Sequence, residues 1–265
     1  MIRTFCLSLA AASALAASPA IGQDNRGEGD DRPRIVSFGV GPQIVPKYQG
    51  ADDYGFSPLF GGHVRREGDP IPTSAPDDNF GISLLGDNSL IDIGPVVAFV
   101  SRRDEEDVGA PVGGVDFTIE PGVFVDFNLA PSFRVRLEAR RGFGGHEGWT
   151  GDAGADFVVK NGLDTMFTIG PRVRISDDEY MNAYFGVTPA AAALSGIPAY
   201  SPDGGIRAVG AVAGITHQLS RSFGVFGYAG YDRLVGDAAD SPIVQNFGSE
   251  HQFSAGIALY YSFRM

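Results

Sequence analysis

The clearest pattern in the chain is a period of two. From His251 onward the odd positions carry Phe253, Ala255, Ile257, Leu259, Tyr261 and Phe263, and the even positions carry Gln252, Ser254, Gly256, Ala258, Tyr260 and Ser262. Successive side chains of a strand point to opposite faces, so this alternation predicts a strand between two unlike environments. Tyr260, Tyr261 and Phe263 near its end suit a membrane–water interface, where a ring has one apolar and one wet side. The period recurs upstream. Val115, Phe117, Ile119, Val123, Val125 and Phe127 share one face, opposite Asp116, Glu120 and Asp126. After a tight turn at Asn128–Ser132, Phe133, Val135, Leu137 and Ala139 oppose Arg134, Arg136, Glu138 and Arg140. Leu163, Phe167, Ile169, Val173 and Ile175 then oppose Arg172 and Arg174, just after the hairpin signal Asn161-Gly162.

Further alternating stretches at 34–42, 54–64, 79–85, 89–101, 150–160, 180–187, 205–218 and 222–235 bring the expectation to twelve strands. The architecture that fits is all-β: a transmembrane antiparallel up-and-down β-barrel over 34–265, whose strands show lipid only at every second residue. Such barrels have short turns at one end and long loops at the other. The tight turns fall on the wrong side if 180–187 spans the membrane. They agree if it belongs to a long loop, which gives about ten strands, or if another strand lies in 190–200; twelve is the favoured count and ten the alternative. Thr188–Leu194 is expected to make at most one helical turn.

Residues 1–22 read as a cleaved signal peptide: Arg3, an apolar run from Phe5 to Ala17, then small residues at Ser18, Ala20 and Gly22. The polar stretch 23–33 reads as a disordered periplasmic lead-in. Localisation in the outer membrane follows from a leader combined with barrel strands. The only cysteine is Cys6, so the exported chain has no thiol for disulfides, catalysis or metal. The formal charge of −12 argues against nucleic acid as a partner, whose binding rests on neutralising phosphate.

Several short stretches in the chain carry a resemblance. They are Tyr48 to Tyr54, with Gly50 and Asp53; Arg141 to Gly148, with Gly145 and His146; and Tyr184-Phe185-Gly186. Ser195-Gly196, Tyr200, and Gly236 to Pro242, with Asp237 and Ser241, complete the set. Together they resemble the MipA/OmpV family of outer-membrane proteins, densely after about residue 140 and more thinly over 38–263. The resemblance implies a non-enzymatic barrel, in one member a scaffold for a lytic transglycosylase and a penicillin-binding protein, in others an envelope-stress protein. The implied partners are outer-membrane lipid and lipopolysaccharide, a periplasmic murein hydrolase and synthase, and the barrel-assembly machinery. That machinery would read Gly256, Tyr261 and Phe263 in the last strand, although the chain ends two residues beyond the final aromatic. No catalytic residue, cofactor or metal comes with the family.

The residues themselves suggest little further chemistry. His146-Glu147 lacks the second histidine of a HExxH zinc site, and the glycines around it read as a folded loop. Asp52, Asp53, Asp237 and Asp240 read as turn and cap residues before cation ligands. Ser220 and Ser222 lie near His217, but no GxSxG elbow occurs, which argues against a lipid hydrolase. Glu120, Asp126, Arg134, Arg136, Glu138, Arg140, Arg172 and Arg174 all fall on the polar faces of neighbouring strands. Two readings stay open: a charged lining for a narrow diffusion channel, or a neutralised network filling the lumen.

Overall fold

The computed structural model describes residues 32–85 and 89–265; the expected leader and most of the lead-in lie outside the described residues. Alternation becomes strand nearly everywhere it was expected. In chain order the first strands are β1 (Arg34–Pro46), β2 (Tyr54–Arg66), β3 (Phe80–Gly81), β4 (Ile91–Val100), β5 (Thr118–Ala130) and β6 (Phe133–Arg141). The others are β7 (Phe143–Gly144), β8 (Trp149–Asn161), β9 (Thr165–Ser176), β10 (Gly205–Gln218), β11 (Phe223–Leu234) and β12 (His251–Arg264). They make a twelve-stranded antiparallel sheet that curls around a charged interior. Ten strands are long, while β3 and β7 contribute two residues each.

One expected strand is a helix. Residues 180–187 fall mostly in α2 (Asp178–Phe185), preceded by α1 (Glu105–Val108) and followed by α3 (Pro189–Ser195) and α4 (Pro242–Phe247). The misreading has a simple origin. Tyr180 and Tyr184 share a face at strand period and at helix period alike, so a window this short does not separate the two. Asp177 decides for helix: its Oδ1 accepts the N–H of Tyr180 at 3.0 Å, and Asp178 and Glu179 in the first turn suit the helix dipole. With 180–187 in a connection, every tight turn falls at one end of the sheet, as the ten-strand alternative requires.

The two faces of the sheet invert the arrangement of a water-soluble protein. Phe38, Phe157, Ile169 and Leu259 are exposed on the outer face, whereas Arg134, Arg172 and Asp156 are buried on the inner one. Tyr260, read as interfacial with Tyr261 and Phe263, instead turns inward, its hydroxyl donating to Gln218 at 3.2 Å. It lies on the even face of β12, and Gly224 opposite leaves room for its ring.

The ends differ as well. The terminal end holds both ends of the sheet's chain, at Arg34 and Arg264, and the tight connections β5–β6, β8–β9 and β10–β11. At the cap end the long connections 47–53, 101–117, 177–204 and 235–250 pack into a core of their own. Tyr180, Met181, Phe185, Leu234 and Val244 form one cluster there, and Tyr48, Ala51, Val108, Val187 and Ile243 another.

The segment 67–79 leaves β2 at the terminal end and runs through the interior before joining β3. Ile71 packs against Val158 and Met166, and Asp77 and Asp78 meet arginines of the inner wall. Pro70, Pro72 and Pro76 have no N–H to give a ladder, which keeps this stretch out of the wall. Its place inside has a topological consequence. Apart from β7, the sheet is a path of alternating strands from β2 to β3, odd in number, so its two edges run in the same direction. No ladder joins β2 to β3 among the described residues.

Candidate functional site

The inner wall carries an ion-pair lattice. Arg136 donates to Asp126 at 2.8 Å and to Glu138 at 2.7 Å. Arg140 reaches Glu120 at 2.9 Å, Glu138 at 2.5 Å and Asp152 at 2.6 Å. Arg134 takes both oxygens of Asp78 at 2.7 Å and one of Asp156 at 3.1 Å. Arg172 joins Asp77 and Asp156, both at 2.8 Å, and Arg174 joins Asp232 at 2.8 Å and Asp152 at 3.2 Å. The eight charged residues singled out from sequence thus meet on one surface. Register explains how: Asp126 faces Arg136 across β5–β6, and Asp152 faces Arg174 across β8–β9.

Five carboxylates of the lattice escaped the sequence reading. Asp152 and Asp156 share a face of β8 but are separated by Gly154, and Asp232 sits among glycines and tyrosines of β11. Their parity within the strands was the available signal. Asp77 and Asp78 had none, because a Pro-rich connection gives no hint that it turns into the lumen. Arg172 shows how tightly they are held, its guanidinium lying 2.8 Å from Asp77 and Asp156 alike. A cavity of about 210 Å³ remains beside the segment, lined by Gln43, Pro76, Val212, Tyr228, Asp232 and Ser254 among others.

The stretches marked by resemblance meet at the cap end. Arg103 lies at their centre, 1% exposed. It donates to the carbonyls of Tyr184 at 2.7 Å and Gly113 at 3.0 Å, and its charge lies 5.8 Å from the Tyr48 ring and 5.7 Å from that of Tyr184. Burial pulls the Arg103 pKa below the usual guanidinium value and pushes the Tyr48, Tyr180 and Tyr184 hydroxyls above the usual phenol value.

His146 is buried with its Nε2 2.8 Å from Glu120 and its ring edge-on to Tyr180, 4.7 Å between centroids. It therefore links the cap to the wall lattice through Glu120. Gly145 donates its N–H to Thr118 at 3.1 Å. Gly148 is packed so closely that a Cβ there would lie 2.4 Å from Asp177 and from the backbone of Tyr180. Gly50, at φ 93°, gives its N–H to Gln252 at 3.1 Å, a backbone conformation that a side chain would strain.

Ser241 is fully buried, caps α4 and donates to the Phe185 carbonyl at 2.7 Å, with Pro242 in the first turn of that helix. Tyr200 pairs with Val187 and donates to the Asp237 carbonyl at 3.0 Å, and the Asp237 side chain accepts the N–H of Asp203 at 2.8 Å. Gly186 and Gly196 end α2 and α3, and Ser195 bonds back to Ala191 at 2.6 Å. Asp53 pairs with Lys47 at 3.0 Å, while the Tyr54 hydroxyl accepts the N–H of Phe253 at 3.2 Å. Tyr261 and Phe263 face outward, stacked at 6.3 Å, and Gly256 faces the interior beside Tyr228. His217 bonds Thr165 at 2.8 Å, and the Ser220 hydroxyl accepts the N–H of Phe223 at 3.1 Å. The serines and the histidine thus serve different turns and strands.

Comparison with known proteins adds a family and a set of looser likenesses. A family model described as MltA-interacting protein MipA matches residues 38–263. No curated protein matches the chain. Among solved structures, an outer membrane channel from Pseudomonas putida F1 is 9% identical with a TM-score of 0.44, covering 88% of this chain and 96% of that one. The outer membrane channel DcaP of Acinetobacter baumannii is 8% identical with a TM-score of 0.35, covering 88% and 96%. Neisserial surface protein A is 7% identical with a TM-score of 0.28, covering 87% and 97%.

Proposed function

The chain belongs to the MltA-interacting protein family, MipA, and from that membership we propose that it is a non-enzymatic outer-membrane β-barrel that anchors peptidoglycan-remodelling enzymes. The observation that carries the membrane part is the inverted wall. Apolar side chains from Phe253 to Phe263 line the outer face of β12. At the usual rise and tilt these ten steps cover about 25 Å, the height of a barrel's lipid-facing band. A face this apolar fits lipid, with the charges of the lattice turned to the other side of the wall.

The short turns and the chain termini belong to the periplasmic side, and the folded cap to the outside. A lytic transglycosylase or a penicillin-binding protein would then meet the terminal end and the segment 23–33, after residues 1–22 are removed on export. The ion-paired lumen supports an anchor, since every lattice arginine is matched by carboxylates. The 210 Å³ cavity favours the second reading, a narrow diffusion channel for small solutes.

Planar-bilayer recording on the refolded chain separates the two. Silence from protein shown to be folded by heat-modifiable gel migration is the expected result, together with retention of a lytic transglycosylase on the immobilised barrel. Stable current steps whose ion preference moves with Arg136→Glu or Arg172→Glu would replace the anchor with the channel.

A further inference from the structure

The interior is balanced in charge until one segment enters it. On the wall, the carboxylates of Glu120, Asp126, Glu138, Asp152, Asp156 and Asp232 are matched one for one by the five lattice guanidiniums and Arg207, buried beside them. The segment 67–79 brings Asp77 and Asp78 into this lattice and has no basic residue of its own. The ion-paired interior therefore holds more carboxylates than guanidiniums. Charge that is enclosed and unmatched is costly, and a bound counter-ion relieves it.

The surplus lies beside open space. Asp77 and Asp232 both line the cavity of about 210 Å³, whose one basic residue is Arg174. Each nitrogen of that guanidinium is already on a carboxylate: Nε on Asp232 at 2.8 Å, and the two terminal nitrogens on Asp152 and Asp77, both at 3.2 Å. Asp232 accepts through Oδ2 alone, and its Oδ1 has no hydrogen-bond partner among the described residues. Gly210 leaves room for that oxygen, since a Cβ there would lie 2.2 Å from it. The side chains of Asp77 and Asp232 stay 23% and 26% exposed, against 1% for Asp156 deeper in the lattice. Around them the lining is of another kind. Val45, Pro76 and Val212 are apolar, and the Tyr228 hydroxyl donates to Gln43 at 2.6 Å, which leaves its oxygen able to accept.

We propose that this cavity binds a small organic cation, a primary ammonium on a short apolar body. The ammonium, which has three N–H groups and no acceptor, donates to Asp232 Oδ1 and to Asp77, and the body lies against Val45, Pro76 and Val212. A bare metal ion fits less well. Among the described residues no group of three or more His, Cys, Asp or Glu could hold one, and a hard cation wants six or more oxygens. The volume agrees, because 210 Å³ is the space of about seven waters at roughly 30 Å³ each, enough for a body of a few carbons. The inference rests on the cavity that favours the channel reading and names its solute; binding and conduction are measured separately, so that either can fail without the other.

The test is calorimetric titration of the refolded chain in detergent micelles with butylammonium, butanol and butyrate, probes of one size and different charge, with the heats of protein-free micelles subtracted. One site for butylammonium is expected, with a Kd of about 1 mM, and clearly weaker binding of the other two. Asp232→Asn should weaken butylammonium about tenfold, as a charged acceptor becomes a neutral one. Val212→Phe, which fills the cavity, should abolish binding, and Glu106→Gln, exposed at the cap end, should leave it unchanged. No butylammonium binding, equal binding of butanol, or binding indifferent to Val212→Phe overturns the site. Displacement by millimolar sodium would assign the cavity to an inorganic cation and remove the organic one. Binding without current in planar bilayers supports a ligand site in a closed barrel, while current without binding keeps the channel and removes this site. If Asp232→Asn does not fold, the charge preference of the unaltered chain still decides.

Discussion

Arg134 is where the energetics of the interior are most concentrated. Its side chain is 4% exposed and shared between Asp78 from the inner segment and Asp156 from β8. Removing one partner of a buried ion pair strands the other, so Arg134→Ala is expected to destabilise the folded chain by about 3 kcal/mol. Urea unfolding followed through Trp149, the only tryptophan, measures it. Ser241 is a second such residue, capping α4 and holding the Phe185 carbonyl at once. Its replacement by Ala should cost about 1–2 kcal/mol. The hydroxyl of Tyr184 is the opposite case, buried without a hydrogen-bond partner among the described residues. Tyr184→Phe removes a desolvated group and is expected to leave stability unchanged or slightly higher; a loss above about 1 kcal/mol would contradict that account.

Among the elements, the segment 67–79 is the one whose position matters most. Every arginine paired with Asp77 or Asp78 also holds a wall carboxylate: Arg134 and Arg172 keep Asp156, Arg136 keeps Asp126 and Glu138, and Arg174 keeps Asp152 and Asp232. The wall therefore stays neutralised without the segment, and Asp77→Asn with Asp78→Asn should cost less than Arg134→Ala. Its location can be tested directly. A Cβ built on Gly214 lies 2.3 Å from the Pro76 ring, so cysteines at 76 and 214 lie within disulfide reach. Cys6 is the one cysteine of the sequence, so a chain made without residues 1–22 is a background free of thiols. Complete oxidation of Pro76→Cys with Gly214→Cys, without altered gel migration, is expected; free thiols under oxidant would place the segment elsewhere.

At the scale of the whole molecule, two regions of different chemistry share one chain. The wall is apolar outside and ionic inside; the cap has an apolar core with phenols beneath it. Tyr180 and Tyr184 hold their protons more tightly when folded than when unfolded, because burial disfavours the phenolate. Their contribution to stability is intact below about pH 10, the unfolded value, and declines as pH rises through the higher folded values. Trp149 reports on this region, its backbone N–H bonding the Asp177 carboxylate at 2.7 Å just before α2. Its emission should hold steady to about pH 10 and then shift together with tyrosinate absorbance. A shift near neutral pH would locate the loosening elsewhere.

The alternation of Val115 to Phe127, Phe133 to Ala139 and Phe253 to Phe263 determined by itself that these are strands and which side chains share a face. A period of two is a local property, and it survives whatever the strand packs against. Local chemistry also marked the turn at Asn161-Gly162 and placed Arg134, Arg136 and Arg140 with Glu120 and Asp126 on polar faces. What the chain did not announce depends on long-range geometry. The cap at Asp177 favours helix over 180–185, but that this stretch belongs to a connection and not to the wall shows only in its packing on Leu234 and Ala238. The partners of Arg134 and Arg172 come from a connection whose course inside the wall no local pattern encodes. The facing of Asp126 and Arg136 exists only because β5 and β6 meet in that register, which is a property of the sheet and of neither strand alone.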